Sequence, residues 1–385
     1  MQFEFSTAGK IIFGPGTLSE AGPAAASVGR RAFVVSGVDM EMARPVVSVL
    51  TSSKVTAVVF KAVGEPTTNM VNEAVEAARG ISCDVVVGFG GGSAIDLAKA
   101  VSALLTNGGQ LLDYLEVVGN GKKLERPSAP CIAIPTTAGT GAEVTKNAVL
   151  LSPEHKVKVS LRSPFLLPQV AIIDPQLTYT LPPETTAACG LDALTQLMEA
   201  FVTAKANPLT DALCREGMAR AARSLKKVFD DGSDAAARED MCVASHFSGL
   251  ALANAGLGAV HGIAGPFGGM FSKAPHGAVC GRLLPFVFEV NVKALRERGE
   301  DKQTIRKYDE IAAILTGKKT SKAVSAVKWV KKISEAFSLP PLGTYGMTEA
   351  DVPALMEKSM NASSMKGNPV VLTEDELRGI LLQAM

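Results

Sequence analysis

The sequence predicts an α/β first part, residues 1–178, built on a mostly parallel sheet, followed by an all-α second part, residues 179–385. Three observations lead there. Short β-branched runs alternate with Ala-rich stretches of helix length over the first part. Those runs are apolar along their whole length rather than at every second residue. After Leu181-Pro182-Pro183-Glu184 they fade, and segments rich in Ala, Leu and Met with charged faces take over. A strand apolar on both sides suits a parallel strand covered by helices above and below. Alternation of strand and helix is the pattern of a doubly wound sheet.

In chain order, Phe3-Glu4-Phe5 and Lys10-Ile11-Ile12-Phe13, separated by a polar turn, are expected to pair as a small antiparallel hairpin. Strands are expected at Arg31–Ser36, Val55–Phe60, Asp84–Gly88, Cys131–Ile134 and Val170–Ile173, with helices at Asn69–Ala78 and Ala94–Leu105. Past the boundary, Pro182 and Pro183 fit a helix start, with Glu184 in the first turn, where the helix dipole favours an acid. Phe247–Ser272 holds no Asp, Glu, Lys or Arg and is long enough to span a bilayer. Glycines, Asn254, His261 and Pro266 interrupt it, so it reads as a buried helix running into a glycine-rich turn and no membrane span is expected. The Lys318-Lys319 and Lys331-Lys332 pairs read as solvated faces.

At 385 residues the chain is too long for one ordinary core, and two domains are expected. Lys+Arg 39 against Asp+Glu 38 leaves a net charge of +1, which gives no electrostatic case for nucleic acid or an anionic membrane. Small neutral or singly charged partners fit better. The six cysteines are scattered with no Cys-x-x-Cys pair, so neither a zinc knuckle nor a disulfide framework is indicated, and a reduced, cytoplasmic setting is expected. The N-terminus has an early acid and no apolar run of secretory length.

Two loops carry chemistry. Gly88-Phe89-Gly90-Gly91-Gly92-Ser93 lies between an expected strand and the helix opening Ala94-Ile95-Asp96. Glycines there let backbone approach phosphate oxygens, and the first free N–H groups of the helix face the anion. The pattern is not the usual Gly-x-Gly-x-x-Gly fingerprint, and a tight turn with a Ser cap would look similar. A second loop, Ile134-Pro135-Thr136-Thr137-Ala138-Gly139-Thr140-Gly141, packs three hydroxyls and two glycines into six residues, which suits ribose and phosphate oxygens. Two cradles suggest a dinucleotide and a Rossmann-like first domain.

The second part offers Asp192 and Gln196, one helical turn apart and facing the same way. Val260-His261-Gly262 and Pro275-His276-Gly277 follow, holding two of the chain's four histidines. A carboxylate, an amide carbonyl and two imidazoles could meet around one divalent metal. Two buried histidines and a solvated acid would leave the same trace in sequence.

Gly90-Gly91-Gly92-Ser93-Ala94-Ile95-Asp96, Pro135–Thr145, Asp174-Pro175, Gly190-Leu191-Asp192-Ala193-Leu194-Thr195 and Gly256–His261 together resemble the iron-containing (group III) alcohol dehydrogenases, from Phe13-Gly14-Pro15-Gly16 to Asn368-Pro369. The resemblance implies an N-terminal dinucleotide-binding domain, a helical C-terminal domain of the dehydroquinate synthase-like architecture, and a site for NAD or NADP and a divalent metal. It places Gly91, Gly92 and Ser93 on the pyrophosphate, with Asp96, Thr136, Thr137, Thr140, Thr145 and Lys158 near the cofactor. Asp192, Gln196, His261 and His276 fall on its four metal-ligand positions. A small alcohol or aldehyde as substrate and a homo-oligomer, a dimer, are implied as well.

The chain departs from that family at three places. The second ligand position, usually His, is Gln196, and an amide oxygen is a weaker ligand than imidazole for Fe²⁺ or Zn²⁺. A further family histidine near the nicotinamide is Gly265. Many NAD-preferring members carry Asp where Gly37 stands, so NADP is open as well, although Asp39 is near. The activity implied is metal-assisted hydride transfer between a carbinol carbon and nicotinamide. His246, on an apolar helix, reads as a core histidine rather than a substitute base. Two alternatives remain: a metal-independent reductase of the maleylacetate reductase kind, and a non-hydride enzyme or idle cofactor-binding protein on the same fold.

Overall fold

The computed structural model describes residues 2–299 and 302–385. The chain divides into two compact units, one of Ser6–Thr180, the other of Leu181–Met385 with the residues up to Phe5.

In the first unit the elements run β1 (Lys10–Phe13), α1 (Ala21–Val28), β2 (Arg31–Ser36), α2 (Met40–Ser52), β3 (Thr56–Lys61), α3 (Thr68–Gly80), β4 (Val85–Gly90), α4 (Gly92–Thr106), a short α5 (Leu111–Tyr114), β5 (Cys131–Pro135), β6 (Asn147–Ser152), β7 (Val157–Arg162) and β8 (Val170–Ile173). Among the described residues six strands form one sheet in the order β1-β8-β5-β4-β2-β3, and every pairing in it is parallel. The unbroken apolar runs have a simple cause. Phe33 and Val35 of β2 and Val86 of β4 pack with α3 and α4, while Ala32, Val34, Val85, Val87 and Phe89 pack with α1 and α2 on the opposite face. Successive side chains of a strand point to opposite faces, so a sheet covered twice needs both sets apolar.

Two local expectations are corrected. Phe3-Glu4-Phe5 forms no strand, and Lys10–Phe13 pairs in parallel with β8, with Lys10 opposite Val170 and Phe13 opposite Ile173. An isolated two-stranded hairpin is marginal in water, whereas the edge of a large sheet offers paired hydrogen bonds on a covered core. An antiparallel hairpin of β6 and β7, from Asn147 opposite Arg162 to Ser152 opposite Val157, was not foreseen.

The chain leaves β2 for β3 on one side and returns to β4 on the other. The switch point therefore lies between the carboxyl ends of β2 and β4, the place where open α/β sheets bind ligands.

The second unit is helical: α6 (Pro183–Val202), α7 (Pro208–Asp230), α8 (Ala235–Ala255), α9 (Ala259–Met270), α10 (His276–Glu297), α11 (Lys302–Thr316), α12 (Ala323–Ala336), α13 (Val352–Asn361) and α14 (Glu374–Ala384). The uncharged stretch is not one helix and a turn. It is two helices, α8 and α9, bent by 98° at Gly256–Gly258, and the later glycines are helical. Gly256 makes that break with φ 75°, a left-handed conformation that a Cβ would oppose. No single helix among the described residues is long and apolar enough to cross a membrane.

Candidate active site

At the switch point of the first unit, three strand ends are tied by backbone. The Gly37 N–H donates to Phe89 O at 2.9 Å and the Thr136 N–H to Gly90 O at 2.9 Å. Gly90 has φ 149°, and a Cβ on it would lie 2.9 Å from Gly37 Cα, so close backbone approach requires glycine. Gly91 is the N-cap of α4 and brings no capping side chain. The first N–H groups of α4 are therefore left for another acceptor.

The threonine loop folds over this helix start. A Cβ on Gly92 would meet Thr140 Oγ1 at 2.7 Å, and one on Gly91 would sit 3.4 Å from Thr137 Oγ1. Backbone amides and hydroxyls thus line one surface, the chemistry of a pyrophosphate cradle. Ser93 is half-buried within it, and Thr136 is buried.

Three of the expected cofactor residues have partners within the protein. Lys99 is fully buried and forms an ion pair with Asp96 at 2.8 Å. It also donates to Thr145 Oγ1 at 2.9 Å and Ala142 O at 3.0 Å. The other Asp96 oxygen accepts from Val149 N at 3.0 Å. Burial pushes the Asp96 carboxyl up and Lys99 pulls against it. This pair fastens α4 to the segment leading into β6, so Asp96 and Thr145 act as struts of the loop that carries Thr140. Lys158 is paired with Glu65 at 3.1 Å.

In the second unit, α6 presents Asp192, Gln196 and Glu199, all buried, on one stripe of an otherwise apolar helix. α9 brings His261 and α10 brings His276. Gly277 is why α10 can lie against α6: a Cβ there would meet Ala188 O at 2.0 Å and Asp192 Cβ at 3.1 Å. Asp192 Oδ1 stands 3.3 Å from His261 Nε2 and 3.8 Å from His276 Nε2. Cys280 Sγ lies 3.8 Å from His261 Nε2 and 3.7 Å from His276 Nε2. Ligand atoms of these four residues all fall within 4.8 Å of one another.

Bonds of about 2.0–2.3 Å at tetrahedral angles place donor atoms about 3.3–3.8 Å apart, so these spacings fit one divalent ion. Glu199 supports the cluster. Its Oε2 accepts from His261 Nδ1–H at 2.6 Å, and its Oε1 accepts from Val260 N at 2.7 Å. A carboxylate on Nδ1 fixes the ring orientation, so Nε2 faces the cluster and, once deprotonated, offers its lone pair to an ion. The His276 side chain is 30% exposed against 7% for His261, so the cluster opens past His276.

Burial pushes Asp192 up, and the His261 hydrogen bond with the imidazole charges outweighs it, holding the carboxyl below its usual range. Burial likewise raises the Cys280 thiol, and His276 and His261 draw it down below its ordinary value. Elsewhere burial dominates: with Asp84 adding to it, it pushes Cys83 up to about 11, and against Lys99 it pushes Cys131 up to about 12.

Asp192, His261 and His276 are brought together as the sequence suggested. Gln196 is buried one turn along, with its Oε1 accepting from Ser248 at 2.6 Å. Cys280 and Glu199 were missed. Each had a signal: Cys280 follows His276 by one helical turn, and Glu199 continues the Asp192–Gln196 stripe at i+7. His246 is buried on α8 with its ring centroid 6.3 Å from that of Phe247. Gly265, one turn after His261, faces open space.

Comparison with known proteins gives these two units a common family. Residues 8–175 match the iron-containing alcohol dehydrogenase family, and residues 186–385 match its C-terminal domain. Alcohol dehydrogenase 4 of Schizosaccharomyces pombe is 34% identical over 83% of this chain and 73% of that protein. The crystal structure of a 1,3-propanediol oxidoreductase covers 100% of both chains at 31% identity with a TM-score of 0.91. Sulfoacetaldehyde reductase from Bifidobacterium kashiwanohense, solved in complex with NAD⁺, is 27% identical with a TM-score of 0.86, over 99% of this chain and 98% of that one. With both units matched over most of their length, the chain belongs to the iron-containing alcohol dehydrogenase family.

Proposed function

We propose that this oxidoreductase, which acts on CH–OH groups as its family does, interconverts a small alcohol and its aldehyde with NAD or NADP, using a divalent metal held by Asp192, His261 and His276. The domain from residue 1 to 178 would bind the dinucleotide and residues 179–385 would carry the metal and substrate. The donor spacing of 3.3–3.8 Å around Asp192 and the two histidines is the observation that carries this reading.

Each group contributes a distinct chemistry when bound. Nicotinamide gives or takes hydride at its ring, and a divalent cation polarises the alcohol oxygen and lowers its pKa. The chain's own residues do the positioning. Gly91, Gly92 and Ser93 offer backbone N–H groups and a hydroxyl to phosphate oxygens, with Thr137 and Thr140 closing over them. Asp192 supplies negative charge against the cation, and Glu199 keeps the His261 proton on Nδ1. Gly265 brings no side chain to its position, where an added Cβ would meet nothing, so no imidazole is available there to take a proton from the substrate.

Cofactor choice follows from two residues. Gly37 carries no carboxylate to repel a 2′-phosphate, and Asp39 is committed to capping α2 by accepting from Met42 N at 2.9 Å. NADPH is therefore accepted alongside NADH. No disulfide joins the six cysteines, in keeping with the reducing, cytoplasmic setting we propose, and a dimer is the assembly we propose.

The test is oxidation of NADH and NADPH against a panel of small aldehydes, in metal-stripped protein and after adding back Fe²⁺ or Zn²⁺. Turnover that needs the metal and runs with either nucleotide is expected. Full turnover in the stripped protein would move the enzyme to the metal-independent reductases, and strict rejection of NADPH would overturn the role given to Gly37.

A further inference from the structure

We propose that the Cys280 thiolate is the fourth protein ligand of the metal, standing in for the family's second-position histidine, which this chain replaces with Gln196. The inference rests on the metal-dependent function above and adds to it which atoms hold the ion and which ions they prefer.

Two observations from different helices converge. On α6, the position that should offer an imidazole offers an amide whose oxygen already accepts a hydrogen bond from Ser248 at 2.6 Å. On α10, a thiol sits one turn beyond His276, fully buried, with Sγ 3.7 Å and 3.8 Å from the two imidazole nitrogens that face the cluster. A tetrahedral site mixing bonds of about 2.0–2.1 Å to nitrogen and about 2.3 Å to sulfur has nitrogen–sulfur edges of about 3.6 Å, close to both distances. The sulfur needs no new rotamer to serve.

The helix explains why this exchange is possible. His276 and Cys280 are i and i+4 on α10, so they share a face. Gly277, and Gly281 whose added Cβ would meet Leu191 at 2.7 Å, hold that face against α6 within reach of Asp192. A donor lost from α6 is thus replaced from the facing helix.

A donor set of one carboxylate, two imidazoles and one thiolate is softer than one of a carboxylate and three imidazoles. It favours Zn²⁺ and Co²⁺ and disfavours the hard ions Mg²⁺ and Mn²⁺. Metal binding releases the thiol proton to solvent, and no electron is transferred.

Cobalt substitution of the full-length protein reads the ligand directly, without reference to turnover. Co²⁺ in the wild type is expected to show a sulfur-to-cobalt charge-transfer band in the near ultraviolet, and X-ray absorption of the zinc form a Zn–S distance of about 2.3 Å. Cys280→Ala and Cys280→Ser should lose the band and weaken Zn²⁺ by at least 100-fold, more than the roughly 10–100-fold that removing an outer-shell partner costs. Gln196→Ala should keep the band, with affinity changed by less than about threefold. Gln196→His combined with Cys280→Ala should recover tight binding without the band. Metal bound by the wild type with no sulfur signature would overturn the thiolate and leave the function standing. No metal bound at all would overturn both.

Discussion

Replacing Glu199 by Gln removes one charge and half of an acceptor pair while keeping size and shape. In the native protein one carboxylate satisfies two donors, His261 Nδ1–H at 2.6 Å and Val260 N–H at 2.7 Å. An amide has one oxygen and one NH₂, so one of those donors must face another donor. If the oxygen stays on Val260, the imidazole loses its anchor and turns or changes tautomer; if it stays on His261, the first turn of α9 loses its cap. A hydrogen bond to a charged partner contributes about 1.5–3 kcal/mol. At about 1.4 kcal/mol per decade this is about 10–100-fold in metal affinity. Competition with a chelator of known affinity measures it, and urea unfolding of the apo protein separates the metal effect from loss of fold. NADH binding to the stripped variant should be unchanged, because Glu199 and the cradle residues belong to different units. Metal affinity within threefold of wild type would show that Glu199 does not orient His261.

Three other outcomes are expected. Gly91→Val should weaken NADH and NADPH by about 10–100-fold, the loss of a backbone bond to a charged oxygen, in a protein that still folds, because the new Cβ meets Thr137 only at 3.4 Å. Equal nucleotide affinity by fluorescence titration would remove the cradle assignment. Lys99→Met should cost about 3–5 kcal/mol in urea unfolding, since it strands the buried Asp96 carboxylate; Lys99→Met with Asp96→Asn should recover part of that, and a single-variant loss below about 1 kcal/mol would contradict the strut. Asp240, partly buried, accepts from Arg223 at 2.7 Å, Arg220 at 2.9 Å and Ser224 at 2.6 Å, and these partners outweigh burial and hold its carboxyl below the usual range. A group whose pKa falls on folding stabilises above its unfolded value and ceases to as pH drops through the folded one. The difference in unfolding free energy between wild type and Asp240→Asn, about 1–2 kcal/mol at pH 7, should therefore fade below about pH 4. A difference that does not shrink at all as the pH is lowered from 7 into the acid range would contradict it.

The doubly wound class was legible because a parallel sheet covered on both faces demands strands apolar at every position, and runs such as Arg31–Ser36 and Cys131–Pro135 carry that demand openly. The helical second unit was legible for the complementary reason, and the Gly90–Ser93 and Thr136–Thr140 loops stand out as a proposed cradle because backbone recognition of phosphate needs glycine and hydroxyls at fixed places. Partnership between distant segments was not written locally. Lys10–Phe13 has the same composition whether it pairs with Phe3–Phe5 or β8, and only the free edge beside β8 decided it. Asp96 and Thr145 carry oxygens that suit a cofactor as well as they suit Lys99, a lysine whose burial follows from the packing of α4 against the loop before β6. The metal cluster shows the division most sharply. Asp192, His261 and His276 announced themselves by residue type, while Cys280, a small apolar-looking residue in a buried helix, became a candidate ligand only when Gly277 and Gly281 let α10 close on α6. Chemistry carried by a residue's type is visible in one dimension. Chemistry that arises from which helices can approach within the width of a missing Cβ exists only once the chain has folded.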